Sequence, residues 1–401
     1  MLTVKTPEEA SEILKSFYRE KRTETLSVKM GSVLGQILSE DVVADEYVPG
    51  FDRSTVDGYA VIASDTFGSS ASMPAVLEVK GEVLMGEAAH GKLELGTSVA
   101  VSTGGDLPEC ADAVVMIEHT EQYGDGLIGI MRPVAPGNNI IFKGDDVSPG
   151  DMILKSGTVL TAHDIGILAA LGRTEVGVRQ KPVVGIISTG DELVDSSQTP
   201  GRGQIRDVNT PLLFAAVLKF GAKPLNYGIV RDEFEKLSEA IVCAARECDI
   251  VLISGGSSAG VRDMTAKVIA EHGELLFHGI AMKPGKPTIL GNIGEKPILG
   301  LPGHPVAAYF VAELFVRPLI AGLMGACLKR NIGFFEISEA VSANHGRAEY
   351  VAIRIDGAGV AVPIRGKSGL ISSLADSDGY ICIPRDSEGV PKGAAVRVTY
   401  W

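Results

Sequence analysis

The sequence has 401 residues, 45% of them hydrophobic, and a formal net charge of −13. That length exceeds what one ordinary core holds, so several domains are expected, and the apolar share is enough to fill them. The acidic balance argues against a nucleic-acid partner, which needs a basic face, and against anchoring to anionic lipid, so an anionic substrate would have to be held by a few placed cations.

Residues 6–22 read as a helix: Thr6 can cap it, Pro7 suits its first turn, and Glu9 stands three residues after Thr6 as in a capping box. The stretch is charged and amphipathic, unlike a signal peptide. From 46 to 146, short runs such as AVLEVKGEVL and AVVMIEHT alternate with Gly, Pro and Asp turns, which predicts a β-rich module. TAHDIGILAALGR (161–173) predicts a short helix, with Thr161 or Asp164 as its cap and Gly172 at its end. From Lys181 strands and helices alternate: PVVGIIS, the helix NTPLLFAAVLKFG with Thr210 as cap, PLNYGIV, a helix after Asp232, DIVLIS, the helix DMTAKVIAEHG, PILGL, and a long apolar helix after His304. Strands buried on both faces and separated by helices predict a parallel, doubly wound α/β sheet. From about Asn331 short strands return as a second β module. The apolar run 304–326 is interrupted by Glu313, Arg317 and Pro318, which favours a buried core helix over a membrane span. Five cysteines with no C-x-x-C pair suit a reducing cytoplasm.

Ligands of doubly wound sheets sit beyond the carboxyl ends of the strands. Three predicted strands end there in polar loops: IISTGDEL (186–193), with Thr189 and Gly190; GIVRDE (228–233); and LISGGSSAG (252–260). Gly255 and Gly256 would let backbone N–H groups approach an anion, and Ser257 and Ser258 add hydroxyls. A tight turn leading into a helix accounts for any one loop alone; three at one edge favour a shared site. Asp191, Glu192, Asp232 and Asp263 would crowd that edge. Singly, Asp232 and Asp263 read as helix N-caps; together the acids suit a hard cation such as Mg2+, which takes one or two carboxylates plus phosphate oxygens. GIAMKPGKPTILG (279–291) sets Lys283 and Lys286 beside prolines that fix where the ammonium groups point, without being a Walker loop. GLPGHPVAAY (300–309) places Pro302, His304 and Pro305 ahead of a helix N-terminus. FDRSTVDGYAV (51–61) and VSTGGDLPECADAVVM (101–116) offer Asp57 and Thr103, although a plain turn at Asp57–Gly58 accounts for the first. The seven histidines show no H-E-x-x-H pairing.

RSTVDGYAV, STGGDLPECADAVVM, GNNIIFKGDDVSPGD, STGDEL, GQIRDVN, ISGGSSAGVRD, KPGKP and GLPGHPVAA occur in this order over nearly the whole chain. Together they resemble the molybdopterin molybdenumtransferase family: bacterial and archaeal MoeA, and the E domain of gephyrin. The resemblance implies an α/β plus β, multidomain chain. Its parts would be an N-terminal helical segment (1–26), a linking and dimerisation domain (27–45 and 147–180), a β-rich inserted domain (46–146), a doubly wound molybdopterin-binding α/β domain (181–325) and a C-terminal β-barrel-like domain (326–401). It also implies a cytoplasmic homodimer whose cleft uses both subunits. The implied reaction is insertion of molybdate into the dithiolene of adenylyl-molybdopterin, with Mg2+ and release of AMP. The protein that makes adenylyl-molybdopterin would be an upstream partner.

By motif, the family's functional positions fall on Asp57, Thr103, Asp146, Glu192, Asp232, Asp263, Lys283, Lys286, Pro302, Pro305 and Ser368. The resemblance places Glu192, Asp232 and Asp263 at the metal and pterin phosphate. Lys283, Lys286 and Ser368 would hold anionic groups, and Asp57 and Thr103 would come from the partner subunit. Thr189, Gly190, Gly255, Gly256, Ser257 and His304 would line the cofactor site. Three departures stand out. His304 replaces the family's usual Asn. Ala352 stands where many relatives carry Arg, with Arg354, two residues on along the same strand face, as the expected substitute. NNIIFKGDD holds a single cation, Lys143. The last two bear on the choice of molybdate over tungstate. A tungstate-inserting relative and a non-catalytic pterin-binding scaffold are the alternatives; the intact set of acids and lysines favours an enzyme.

Overall fold

A computed structural model of the chain describes residues 4–19, 22–28, 32–255, 259–326, 330–364, 366 and 369–401, with 259–262 as backbone only. The N-terminal helix Pro7–Lys15 carries the expected capping box: Thr6 Oγ1 accepts from the Glu9 N–H at 3.2 Å, and a Glu9 carboxylate oxygen accepts from the Thr6 N–H at 2.8 Å. Its buried face, Ala10 and Leu14, continues through Phe17 into the core that holds Leu213, Phe310 and Leu319. The segment therefore packs on the α/β domain instead of standing apart. Lys5 is tied there too, through main-chain bonds to Gly279 and Ala281.

The strand Thr23–Ser27 pairs antiparallel with Glu175–Arg179. Two stretches far apart in sequence thereby share one core, built on Val33, Leu38, Leu160, Leu168 and Val178. The helix Ala162–Ala170 beside it is capped by Thr161, whose hydroxyl takes the Asp164 N–H while the Asp164 carboxylate takes the Thr161 N–H. Between these halves lies a six-stranded sheet in the order Ala113–Met116, Gly58–Val61, Thr97–Val101, Ala75–Val83, Leu127–Ile130, Thr120–Gly124. Tyr59, Val61, Leu77, Val115 and Ile128 fill one side of it. A Cβ at Gly58 would lie 1.9 Å from the Val115 carbonyl oxygen, so the sheet closes only with glycine there.

The α/β domain is built on a second six-stranded sheet, ordered Lys223–Val230, Val183–Thr189, Ile250–Gly255, Lys296–Leu301, Ile289–Ile293, Glu274–His278. The first four strands are parallel. Ile289–Ile293 runs antiparallel to both of its neighbours, a departure from the all-parallel expectation. Gly294 at φ +59° with Glu295 makes a two-residue turn between Ile293 and Lys296, so what reads as one loop and one strand is a hairpin. Successive strand residues face opposite cores. Ile250 and Leu252 pack with Leu213 and Phe310, while Val251 and Ile253 pack with Leu237 and Ile241. Burial on both faces explains the continuous apolar runs.

The twenty-residue helix Pro305–Met324 has a mean hydropathy of 1.7, apolar enough to cross a membrane, yet Val306, Phe310, Phe315, Leu319 and Ile320 are buried in the α/β core. It is a core helix of this fold, with one π turn over Ala312–Val316. The C-terminal sheet runs Met282–Lys283, Ala348–Ile355, Gly379–Ile383, Ala395–Tyr400, Ile332–Glu336. Its edge strand Met282–Lys283 is lent by the α/β domain, with Lys283 opposite Glu349 in parallel register. That loan stitches the two domains along one seam.

Candidate active site

Two clefts meet at the turn that precedes the long helix. The larger, about 830 Å3, lies along the seam between the α/β domain and the C-terminal sheet. Lys283, Lys286, Pro302 and His304 line one wall, and Arg347, Glu349, Tyr350 and Ala352 line the other. The smaller, about 510 Å3, lies at the carboxyl ends of the parallel strands, lined by Thr189, Glu192, Asp207, Asn209, Ser254, Gly255, His304 and Pro305 among others. His304 borders both. Gly366 lies on the first and Gly369 on the second.

The strand-end cleft is held by a chain of short polar contacts. Thr189 donates its hydroxyl to Asp232 Oδ1 at 2.6 Å. Asp232 was expected to cap the following helix, but that helix starts at Phe234, and Glu233 at its N-cap makes no side-chain bond. The Asp232 carboxylate is instead committed to the strand end. Thr210 was likewise expected as a cap. It lies inside the helix Asn209–Lys219 and is itself capped by the buried Asp207, which accepts from its N–H at 3.0 Å and from its hydroxyl at 2.6 Å. Asn209 donates through Nδ2 to Ser254 Oγ at 2.7 Å and to the Gly303 carbonyl at 2.8 Å. These bonds tie one strand end to the turn shared by both clefts. A Cβ at Gly255 would lie 2.1 Å from the Thr189 carbonyl oxygen, so glycine is needed there for strand packing as well as for an open cleft. Gly190, at φ +156°, would crowd the Glu192 carboxylate if it carried a side chain.

In the seam cleft, Glu349 is 4% exposed. Its Oε2 accepts from Lys283 Nζ at 3.0 Å. Its Oε1 accepts from the Asn344 N–H at 3.1 Å and lies 3.5 Å from Arg347 Nε. Burial pushes this carboxyl up, but Lys283, the Asn344 N–H and Arg347 outweigh it and hold the group below its ordinary value.

The remaining expected positions lie elsewhere. Asp57 and Thr103 do form a unit: the Thr103 N–H and hydroxyl donate to Asp57 Oδ1 at 2.7 and 3.0 Å, which draws the Asp57 carboxyl below the usual range. That pair is exposed, as is Asp146, and neither cleft is lined by any residue of 46–146. Asp263 is exposed on the helix Ala259–His272, outside both linings. Arg354 is exposed and outside the lining at which Ala352 sits; Arg347 is the cation that the same strand region brings to the cleft. Gly256, Ser257, Ser258 and Ser368 lie outside the described residues. Among the described residues no group of three or more His, Cys, Asp or Glu is gathered to hold a metal ion. Asp191 and Asp232 do approach, the Asp232 N–H donating to Asp191 Oδ1 at 3.4 Å. An edge with one or two available carboxylates fits an ion that arrives with a phosphate ligand, as Mg2+ ordinarily does, and not a protein-built cage.

A doubly wound domain with a polar strand-end cleft opening onto a cationic seam defines a protein that handles anionic small molecules. Residues 5–172 match the MoeA N-terminal region (domain I and II), 185–322 a probable molybdopterin binding domain, and 336–401 the MoeA C-terminal region (domain IV). The chain is 33% identical to the molybdopterin molybdenumtransferase of Bacillus subtilis, over 99% of this chain and 95% of that one. It is 30% identical to molybdopterin molybdenumtransferase 1 of Mycobacterium tuberculosis H37Rv, over 94% of each. The crystal structure of the molybdopterin biosynthesis MoeA protein from Pyrococcus horikoshii OT3 superposes with a TM-score of 0.88 at 36% identity, covering 99% of this chain and 100% of that one. The chain belongs to the molybdopterin molybdenumtransferase (MoeA) family.

Proposed function

We propose that this protein is a molybdopterin molybdenumtransferase of molybdenum cofactor biosynthesis, inserting molybdate into adenylyl-molybdopterin with release of AMP. The observation that carries the reading is the junction of the two clefts at Pro302–His304. The strand-end cleft suits a phosphorylated heterocycle, because it opens at the carboxyl ends of the parallel strands beside Gly255, with the Asn209 amide oxygen left without a hydrogen-bond partner among the described residues. The seam suits the oxyanion, because Lys283, Lys286 and Arg347 converge there from two domains. Asn209, by holding the Gly303 carbonyl, fixes the distance between the two substrates. Glu192 and Asp232 would hold Mg2+ together with the substrate phosphate, and the ion would offset charge developing on the departing AMP. Asp57 and Thr103, and with them Asp146, are assigned to the cleft of a partner subunit, which makes the working unit a homodimer. The described cysteines are unpaired, which supports a reducing compartment such as the cytoplasm.

Purified protein incubated with adenylyl-molybdopterin, Mg2+ and either molybdate or tungstate should release AMP and form metal-bound cofactor. No AMP with either oxyanion overturns the reading; AMP with tungstate alone assigns the tungsten reaction. Lys283→Ala and Asp232→Ala should each lower turnover by about 10²–10³-fold, the usual cost of one placed electrostatic group. Circular dichroism should show both variants folded, and wild-type rates in both would place the site elsewhere.

A further inference from the structure

The seam cleft contains a carboxylate that the assignment of an oxyanion site does not use. Among the described lining residues, Lys283, Lys286 and Arg347 bring positive charge and Glu349 alone brings a carboxylate. Glu349 lines the cleft but is buried, whereas the Lys283 side chain that it binds is 53% exposed, so Lys283 is the more accessible member of the pair. The pairing is fixed by the fold, because Lys283 and Glu349 are direct neighbours in parallel register across the domain seam. The other oxygen of Glu349 faces Asn344 and Arg347. Arg347 Nε is buried and has no hydrogen-bond partner among the described residues, lying beyond bonding range of Glu349 at 3.5 Å. One buried carboxylate thus stands between two cations, one from each wall. The three cations less this carboxylate leave two positive charges, the complement of a tetrahedral dianion.

Resting on the oxyanion reading of this cleft, we infer that Glu349 is a positioning residue that holds Lys283 and Arg347 in place across the seam and competes with the incoming oxyanion for them. Its presence costs affinity and fixes geometry. An anion entering the cleft draws the Lys283 ammonium away from Glu349, and leaving returns it, so the site releases what it binds. Removing the negative charge should therefore tighten anion binding, whereas a residue that only braced the seam would weaken it when removed.

The test is titration of the full-length protein with molybdate, and separately with tungstate, by calorimetry. Glu349→Gln should bind molybdate about tenfold more tightly than wild type, as expected for loss of one competing charge a few ångströms away. Glu349→Asp, which retains the charge, should restore most of the wild-type affinity. In turnover, Glu349→Gln should lower the KM for molybdate without raising kcat. If the Gln variant does not fold, Lys283→Met/Glu349→Gln carries the same question, since removing both partners leaves no uncompensated buried charge. It must then bind more tightly than Lys283→Met alone, in which Glu349 faces the anion unpaired. Equal or weaker binding in the charge-removed variants overturns the inference about Glu349 while leaving the oxyanion site standing. A wild-type protein that binds neither oxyanion overturns the reading of the cleft itself.

Discussion

The carboxyl of Glu349 is pulled two ways, and the direction of the outcome can be read in acid. Burial favours its neutral form; Lys283, the Asn344 N–H and Arg347 favour the charged one and prevail, so its titration lies below the ordinary 4.5. A carboxyl held down in the folded state contributes stability that is complete above its unfolded value and is lost as pH falls through the folded one. The wild-type melting temperature should therefore fall more steeply than that of Glu349→Gln as pH is lowered from 4.5. Parallel melting curves would show that Lys283 and Arg347 do not hold the group. Single residues of this kind were only partly legible. GRAEYVAIRI displays Arg347 and Glu349 in plain view, yet nothing in it shows that a two-residue strand from 282–283 lies alongside. The pairing is a fact of tertiary register, and local patterns do not encode it. Asp232 misleads for a related reason. An acid ahead of a helix looks like a cap, and only the strand order shows that the Thr189 hydroxyl comes close enough to take it.

The long helix after His304 shows what periodicity conveys and what it omits. Glu313 and Arg317, read as interruptions that count against a membrane span, are four residues apart and form an ion pair on one face of the helix. Glu313 is 0% exposed and sits within the π turn, with one carboxylate oxygen lacking a hydrogen-bond partner among the described residues. Arg317 is its counter-charge, so Arg317→Met should destabilise the protein by about 3–5 kcal/mol, the usual cost of leaving a buried charge alone. Glu313→Leu/Arg317→Met should recover most of that loss, because an apolar pair of similar volume removes the desolvation cost with the charges. Chemical denaturation of the single and double variants separates the two outcomes; an equally unstable double variant would mean that the pair matters for shape and not for charge. The hairpin at Gly294 is the opposite case. Its two strands are short and apolar on both faces, so they merge with the neighbouring strand pattern, and only the positive φ of one glycine marks the reversal. The four parallel strands were legible because each is followed by a helix or a loop with its own stop signal.

At the scale of the whole molecule, the eight ordered motifs divide between places that one chain does not bring together. KPGKP and GLPGHPVAA meet at the two clefts, and STGDEL and GQIRDVN border the second. RSTVDGYAV and STGGDLPECADAVVM converge on each other, through Asp57 and Thr103, on a domain with its own sheet and cores. The Asp57 carboxylate is held charged and exposed, and it lines neither of these two clefts in its own chain. If its cleft belongs to a second copy, inactive variants should complement. In a two-fold dimer the interface is isologous and the two composite sites are equivalent, so a mixed dimer of Asp57→Ala with Lys283→Ala places both lesions in one site and leaves the other intact. Each variant alone should retain no more than about 1% of wild-type AMP release. Co-expressed in equal amounts they should recover roughly a quarter of wild-type activity, since half of the dimers are mixed and half of the sites in each are whole. Subunits must be exchanged or co-folded, because mixing pre-formed dimers that do not exchange leaves every site defective. Analytical ultracentrifugation of the same sample fixes the fraction of dimer, and mass spectrometry of differently tagged chains fixes the fraction that is mixed. With mixed dimers present and activity absent, Asp57 and Lys283 would have to serve the same site from the same chain, and the β-rich domain would then have to close over its own clefts.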